Sequence, residues 1–112
     1  QQKTLSCVTN KPERPARKIL EVLKMDHYFA DVIGGDRFEV RKPDPKPLLH
    51  CVEAFDTTPA QTLMIGDSSN DVEAARRAGI DCIVVSYGYN HGEDIQLCHP
   101  QQVVDDLTAL LI

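Results

Sequence analysis

Residues 62–71 of this 112-residue chain read TLMIGDSSND, and this stretch decides the fold. A short apolar run ends in Gly66 and Asp67, and a helix is predicted from about residue 70 to residue 78. Gly79 follows, a residue type that favours the left-handed turn at the end of a helix. A second apolar run comes at 81–85. A strand, a tight turn, a helix and another strand in this order predict neighbouring strands of a parallel sheet.

The same alternation of apolar runs and helical patterns covers the whole chain. We predict strands at 4–8, 31–33, 62–65, 81–85 and 103–104, a helix after the first strand, and further helices at about 48–55, 70–78 and 106–111. The first helix carries an apolar stripe formed by Ala16, Ile19, Leu20 and Leu23. We therefore predict one α/β domain over residues 1–112, a three-layer arrangement in which helices cover both faces of a parallel sheet.

The composition excludes several classes of protein. A net charge of -5 and an isoelectric point near 5.2 argue against binding to nucleic acid, whose phosphates attract clustered lysine and arginine. No apolar run approaches the roughly 20 residues that span a bilayer, so no membrane partner is expected. The chain starts at Gln1 rather than at methionine, which we interpret as the sign of a piece of a longer protein.

The four cysteines are widely spaced and include no Cys-x-x-Cys pair: Cys7, Cys51, Cys82 and Cys98. This spacing predicts reduced thiols in the core and a cytoplasmic location. The four histidines show no spacing typical of metal ligands, and we predict no function for them.

Polar side chains follow three successive predicted strands at the point where each strand ends. Thr9 and Asn10 follow the first, Lys42 lies in the loop after the second, and Asp67 and Asp71 follow the third. Ligands of open parallel sheets bind at these carboxyl ends. A hydroxyl with main-chain N–H groups and a lysine can hold phosphate. Two carboxylates suit Mg²⁺, which takes its other ligands from water and phosphate.

Each of these residues also has a simpler interpretation. Asp67 and Asp71 can cap a helix, Thr9 and Asn10 can form a turn, and Lys42 can be a solvated surface residue. Taken one at a time, the simpler interpretation is favoured in each case. The combination of all three features, in this order along successive strands, favours a site for phosphate and a metal ion.

These motifs resemble the haloacid dehalogenase superfamily of phosphatases and, within it, the bacterial phosphoglycolate phosphatase family. The resemblance covers nearly the whole chain and is carried by VTNKP at 8–12, VIGGD at 32–36, KP at 42–43 with PLL at 47–49, GDS at 66–68 with ND at 70–71, and YGYN at 87–90. It implies a Mg²⁺-dependent hydrolase that cleaves a small phosphomonoester, 2-phosphoglycolate, through an aspartyl-phosphate intermediate.

The resemblance also implies a role for each candidate residue. Thr9 would donate a hydrogen bond to the transferring phosphoryl group, and Asn10 would add its main-chain N–H. Lys42 would steady both the phosphate and the nucleophile. Asp67 would bind Mg²⁺, and Asp71 would be a further ligand or would orient a metal-bound water. Such a set supplies the positioning and charge neutralisation that phosphoryl transfer needs.

The chain departs from the family in one respect that affects both chemistry and fold. The Asp-x-Asp-Gly-Thr motif, which would supply the attacking aspartate and the acid-base aspartate, is absent from the sequence, as is the helical cap. We therefore expect the chain alone to be inactive. The family's sheet would lack its central strand, which leaves open edges near Thr4 and Thr62. Our hypotheses are that the chain closes this gap, swaps strands into a dimer, or belongs with a missing N-terminal segment.

Two alternatives to a phosphoglycolate phosphatase remain open. Other phosphatases and phosphomutases of the superfamily share the same core motifs and act on other small phosphates. The chain could also be a non-catalytic interaction module that keeps the fold but has lost the reaction. An Asp-x-Asp strand encoded upstream of Gln1 would favour the enzyme.

Overall fold

The computed structural model of the protein describes residues 3–87, 100 and 102–105. In these residues strands and helices follow each other along the chain as β1 (Ser6–Val8), α1 (Glu13–Val22), β2 (Asp31–Ile33), α2 (Lys46–Ala54), β3 (Leu63–Gly66), α3 (Ser69–Ala78), β4 (Asp81–Val85) and β5 (Gln102–Val104). Short 3-10 turns lie at Asp26–Tyr28 and Pro59–Gln61. The predicted helix at 106–111 and most of the loop motif at 87–90 fall outside the described residues.

All strand pairs in the described part of the chain are parallel, so the predicted α/β class is confirmed. β1 pairs with β2, and β4 lies between β3 and β5. β1 and β3 do not pair with each other, so the strands form two sheets rather than one. For the described residues, the hypothesis that the chain closes the central gap by pairing these two strands directly is therefore wrong.

The main core lies where α3 packs on the larger sheet and α2 packs against α3. α3 contributes Ala74 and Ala75, which have no exposed surface, and small side chains let a helix lie close to a strand. Val84 of β4 is likewise fully buried beneath them. The remaining members of this core are Leu48, Val52, Val72, Ala78, Ile80 and Cys82. α3 begins in a capping box and ends at Gly79, whose φ of 75° is left-handed, so the predicted cap is confirmed.

The predicted apolar stripe of α1 is only partly buried, which corrects our expectation of a core-facing helix. Ala16 is buried, but Ile19 and Leu23 are 47% and 60% exposed. α1 contacts β2 and the first 3-10 turn, and a two-stranded sheet offers a helix little surface. The periodicity therefore predicted the helix correctly and overstated its burial.

The described cysteines are free thiols, as expected. Cys51 and Cys82 are buried and Cys7 is half-buried. Burial raises the pKa of all three thiols, in Cys82 to about 12. No helix among the described residues is long and apolar enough to cross a membrane.

Candidate active site

The carboxyl ends of β1 and β3 open into one cavity of about 520 Å³. All five candidate residues predicted from the sequence line this cavity: Thr9, Asn10, Lys42, Asp67 and Asp71. They are brought together because parallel strands end at the same edge, so that loops far apart in the sequence meet there. Their chemical roles remain predictions.

Lys42 is buried at the centre of the site, so its interpretation as a solvated surface residue is wrong. The residue is 8% exposed. Its Nζ donates to the carbonyl oxygen of Val8 at 2.8 Å and to Oδ1 of Asp71 at 2.6 Å. A buried ammonium is tolerated when it is paired and hydrogen-bonded in this way. Through these two hydrogen bonds Lys42 connects the end of β1 to the start of α3.

Asp71 caps α3, as one of the two interpretations predicted. Its Oδ2 accepts the main-chain N–H of Asp67 at 2.8 Å and that of Ser68 at 3.2 Å. Burial raises the pKa of Asp71, but attraction to Lys42 and the hydrogen bonds from Lys42, Asp67 and Ser68 outweigh burial and hold the pKa below its ordinary value. Asp71 is therefore a carboxylate at neutral pH, and its oxygens hold the loop that carries Asp67.

Gly66 allows this close approach of loop and carboxylate. A Cβ atom built on Gly66 would overlap the carboxylate of Asp71. The residue after it, Asp67, is half-buried at the tip of β3 and lines the cavity. The lack of a side chain at Gly66 therefore explains why a glycine precedes Asp67 in the sequence.

Thr9 and Asn10 form the turn that leaves β1, which is the simpler of their two interpretations. Oγ1 of Thr9 accepts the N–H of Lys11 at 3.1 Å. Nδ2 of Asn10 donates to the carbonyl oxygen of Lys42 at 2.9 Å, so the side chain ties two loops of the site together. Oδ1 of Asn10 is buried without a hydrogen-bond partner. Buried acceptors of this kind ordinarily receive a hydrogen bond from water or from another donor, so Oδ1 of Asn10 can accept one here.

Lys11 and Asn70 are among the other residues that line the cavity, and the sequence analysis did not select them as site residues. Lys11 is exposed and adds a positive charge near Thr9. Its position just after a strand end could have suggested it, since the same rule selected Thr9 and Asn10.

A cluster of ion pairs behind the site holds α1 to β2. Arg37 donates through Nε to Oε1 of Glu13 at 2.7 Å and through Nη1 to Oδ2 of Asp31 at 3.1 Å. Oε1 of Glu13 also accepts the N–H of Gly34 at 3.1 Å. The hydrogen bond from Arg37 lowers the pKa of Glu13 to about 2. The start of α1, and with it the turn at Thr9, is fixed to the end of β2.

The oxygen donors in the cavity fit Mg²⁺ only in part. Within the described part of the chain there is no group of three or more His, Cys, Asp or Glu side chains that could hold a metal ion. Mg²⁺ often binds through one or two protein carboxylates and completes its octahedron with water and phosphate. Asp67, with Asp71 beside it, matches that smaller requirement.

Comparison with known proteins gives the class to which this site belongs. The profile of the haloacid dehalogenase-like hydrolases matches residues 1–85. The chain belongs to the haloacid dehalogenase-like hydrolase family, which confirms the resemblance drawn from its motifs.

Two of the similar proteins are named as phosphoglycolate phosphatases and a third as a phosphomutase. A phosphoglycolate phosphatase from Psychrobacter arcticus is 47% identical over 107 residues, which make up 96% of this chain and 46% of that protein. The crystal structure of a predicted phosphoglycolate phosphatase from Haemophilus somnus has a TM-score of 0.93 at 36% identity and covers 96% of this chain and 48% of its own. The crystal structure of a putative β-phosphoglucomutase from Thermotoga maritima has a TM-score of 0.80 at 30% identity and covers 90% of this chain and 47% of its own. This chain thus spans less than half the length of each.

Proposed function

We propose that this chain forms most of the catalytic core of a Mg²⁺-dependent phosphatase that hydrolyses a small phosphomonoester, 2-phosphoglycolate. The attacking aspartate would come from a segment outside these residues, because no Asp-x-Asp motif is present in the sequence. The observation that carries the proposal is the single cavity lined by a threonine, a buried lysine and two aspartates. The names of the relatives at 40–47% identity support the substrate.

The residues present would do the work of positioning and charge neutralisation. Two of the three N–H groups of Lys42 donate to Val8 and Asp71, which leaves one for a phosphate oxygen or an attacking carboxylate. The hydroxyl of Thr9 and the main-chain N–H of Asn10 would donate to the phosphoryl oxygens. These donors would be fixed before substrate binds, so they cost little reorganisation during the reaction.

Mg²⁺, when bound, would neutralise charge on the phosphoryl group. Asp67 is the residue that we propose as its ligand. Asp71 already accepts hydrogen bonds through both oxygens, so we propose that it chiefly orients the loop of Asp67 and the ammonium of Lys42. That Asp71 is itself a further ligand of Mg²⁺ stays a prediction.

In the reaction, the external aspartate would attack phosphorus as the ester P–O bond breaks, and the second aspartate of the same external motif would give its proton to the departing alcohol and later take one from the attacking water. Water would then cleave the acyl phosphate, which releases inorganic phosphate and restores the aspartate. A phosphomutase would instead pass the phosphoryl group to a second sugar hydroxyl. The similarity to the Thermotoga maritima structure keeps that activity as the second candidate.

The test is an assay of the full-length parent protein, with 2-phosphoglycolate and β-glucose 1-phosphate as competing substrates in the presence of Mg²⁺. We expect release of inorganic phosphate from the first, and Asp67→Asn should lower kcat by about a hundredfold or more. Asp56→Asn is the matched control, because Asp56 is exposed and its φ of 52° suits asparagine. Equal rates for the two variants would remove Asp67 from the site, and conversion of the sugar phosphate without phosphate release would favour the mutase.

A further inference from the structure

Lys11 brings to the candidate active site a positive charge that the proposed function does not use. It lines the cavity of about 520 Å³ together with Lys42, and these two are the cations among the described residues around that cavity. Lys42 is buried and paired with Asp71. Lys11 is exposed and forms no ion pair within the described part of the chain. Its ammonium is therefore available to a ligand in the cavity.

The main chain at Lys11 is held on both sides, so the fold sets where this side chain starts on the cavity wall. Its N–H donates to Oγ1 of Thr9 at 3.1 Å. Its carbonyl oxygen accepts the N–H of Gly35 at 2.7 Å. A Cβ atom built on Gly35 would overlap the main-chain carbonyl of Asn10, so the glycine lets the two loops lie this close. The turn therefore presents Lys11 next to Thr9 before any ligand binds.

A second anionic group on a small phosphate ester has to bind close to the phosphate. In 2-phosphoglycolate one CH₂ group separates the carboxylate from the bridging oxygen, so a side chain that contacts this carboxylate must come from beside the phosphate site. Lys11 is two residues after Thr9 and carries its ammonium on a flexible four-carbon stem. Of the other charged side chains in the cavity wall, Lys42 is already paired, and Asp67 and Asp71 would repel a carboxylate.

We propose that Lys11 is a specificity-determining residue whose ammonium binds the carboxylate of the substrate, so that the site selects small phosphate esters with a second negative group. The assignment rests on the proposed function, since it takes the phosphate to be held by Thr9 and Lys42. An ammonium donates up to three hydrogen bonds, and those to a carboxylate are stronger than those to a neutral hydroxyl. An ester that ends in a hydroxyl should therefore bind less tightly.

The probes are three phosphonates of equal carbon chain length, which are not hydrolysed because a carbon atom replaces the bridging oxygen. They are 3-phosphonopropionate, which ends in a carboxylate, 3-hydroxypropylphosphonate, which ends in a hydroxyl, and 3-aminopropylphosphonate, which ends in an ammonium. Isothermal titration calorimetry of the full-length parent protein with Mg²⁺ gives a Kd for each, so the result does not depend on turnover. We expect the native protein to bind the carboxylate compound about fivefold more tightly than the hydroxyl compound, or better.

Two substitutions of Lys11 separate recognition of the carboxylate from a structural role. Lys11→Gln should weaken binding of the carboxylate compound about fivefold or more and change the affinity for the hydroxyl compound little. Lys11→Glu should reverse the preference, with the ammonium compound bound more tightly than the carboxylate compound, since like charges at an interface repel. Lys18→Gln is the matched control, because the Lys18 side chain is 74% exposed and does not line this cavity. It should keep the native preference.

An equal loss of affinity for the carboxylate and hydroxyl compounds in Lys11→Gln would mean that Lys11 attracts any phosphate, and it would overturn the proposal. So would a native protein without a preference for the carboxylate compound, or a Lys11→Glu variant that still prefers it. Release of phosphate from 2-phosphoglycolate by the parent protein would leave the proposed phosphatase standing in each of these cases. If none of the three compounds binds, the phosphate site itself is wrong, and both proposals fail.

Discussion

The ion pair between Lys42 and Asp71 is the single contact on which the geometry of the site most depends. Both side chains are buried, with 9% and 6% of their surface exposed. A buried charge that loses its partner is far less stable than the pair, because the low-dielectric surroundings no longer compensate it. The contact also joins the loop that carries Lys42 to the first turn of α3, which is distant in the sequence, so its loss would loosen both.

We therefore expect Lys42→Met to lower the free energy of unfolding by about 3 kcal/mol or more. Lys18→Met is the control, since the Lys18 side chain is 74% exposed, and such surface changes usually cost less than about 0.5 kcal/mol. Urea unfolding of both variants measures the difference. Similar small losses would mean that the pair contributes little to the fold.

Gly66 gives a second prediction at the scale of one residue. In Gly66→Ala the new methyl group would overlap the Asp71 carboxylate, and such overpacking costs about 1–3 kcal/mol. It should also displace the loop of Asp67 and reduce the activity of the parent protein.

Gly79→Ala is a control that lowers stability through backbone strain without disturbing the candidate active site. It places alanine at a φ of 75°, where the left-handed conformation costs about 1–2 kcal/mol, but the nearest atom to its Cβ is 3.8 Å away. We expect comparable destabilisation with an unchanged kcat, measured in the same assay. If Gly79→Ala lowers kcat as much as Gly66→Ala does, the loss of activity in Gly66→Ala comes from reduced stability alone.

The positions of these residues were predictable from the sequence, but their contacts were not. Strand-end position follows from the chain pattern, because parallel strands gather their carboxyl ends at one edge. That Asn10 holds the Lys42 carbonyl, or that Lys42 reaches Asp71, depends on how two separate loops pack. No spacing in one sequence encodes such a pairing, so Lys42 alone looked like a surface residue.

At the scale of secondary-structure elements, the cluster around Arg37 fixes α1 to β2 and makes their contact sensitive to acid. The pKa of Glu13 is about 2 in the folded protein, against 4.5 ordinarily, first because of its hydrogen bond from Arg37. A carboxylate whose pKa falls on folding stabilises the fold above its ordinary pKa and loses that contribution as the pH drops to the folded value. The stabilisation is thus complete above about pH 4.5 and is lost towards pH 2.

Glu13→Gln should therefore be less stable than the native chain at pH 6, and the difference should shrink as the pH falls from 4.5 towards 2. Urea unfolding across this range measures it. Glu21→Gln is the control, because the Glu21 side chain is 57% exposed, and it should show no such trend. Asp31 shares Arg37 and has a lowered pKa too, so some pH dependence should persist in Glu13→Gln. A difference that stays constant with pH would contradict the part given to Glu13.

Periodicity located the elements but did not show what covers them. The stripe on α1 has the spacing of a buried face, yet Ile19 and Leu23 are exposed because α1 rests on a sheet of two strands. α3, by contrast, is well buried, since β3 and β4 give that helix a broad surface. Burial depends on the neighbours of an element, and these are set by the whole fold.

For the whole molecule, we propose one origin for two observations, the split into two sheets and the absence of an Asp-x-Asp motif from these 112 residues. β1 and β3 end at the same cavity, which Lys42 lines, and a second cavity of about 300 Å³ lies between the two strands. The orphaned Oδ1 of Asn10 lies at the same place and lacks a donor. One segment outside these residues that supplied both a strand and the attacking group would account for these observations.

We therefore expect the 112-residue chain alone to show no turnover of p-nitrophenyl phosphate with Mg²⁺. Lys42, Thr9 and Asp67 can hold a phosphate, but positioning cannot replace the carboxylate that attacks phosphorus. The measurement is release of p-nitrophenol by the purified chain and by Asp67→Ala, so that a contaminating phosphatase shows equal rates in both. Turnover by the native chain that Asp67→Ala abolishes would mean that a group within these residues serves as the nucleophile. The proposed division of the active site between two segments would then be wrong.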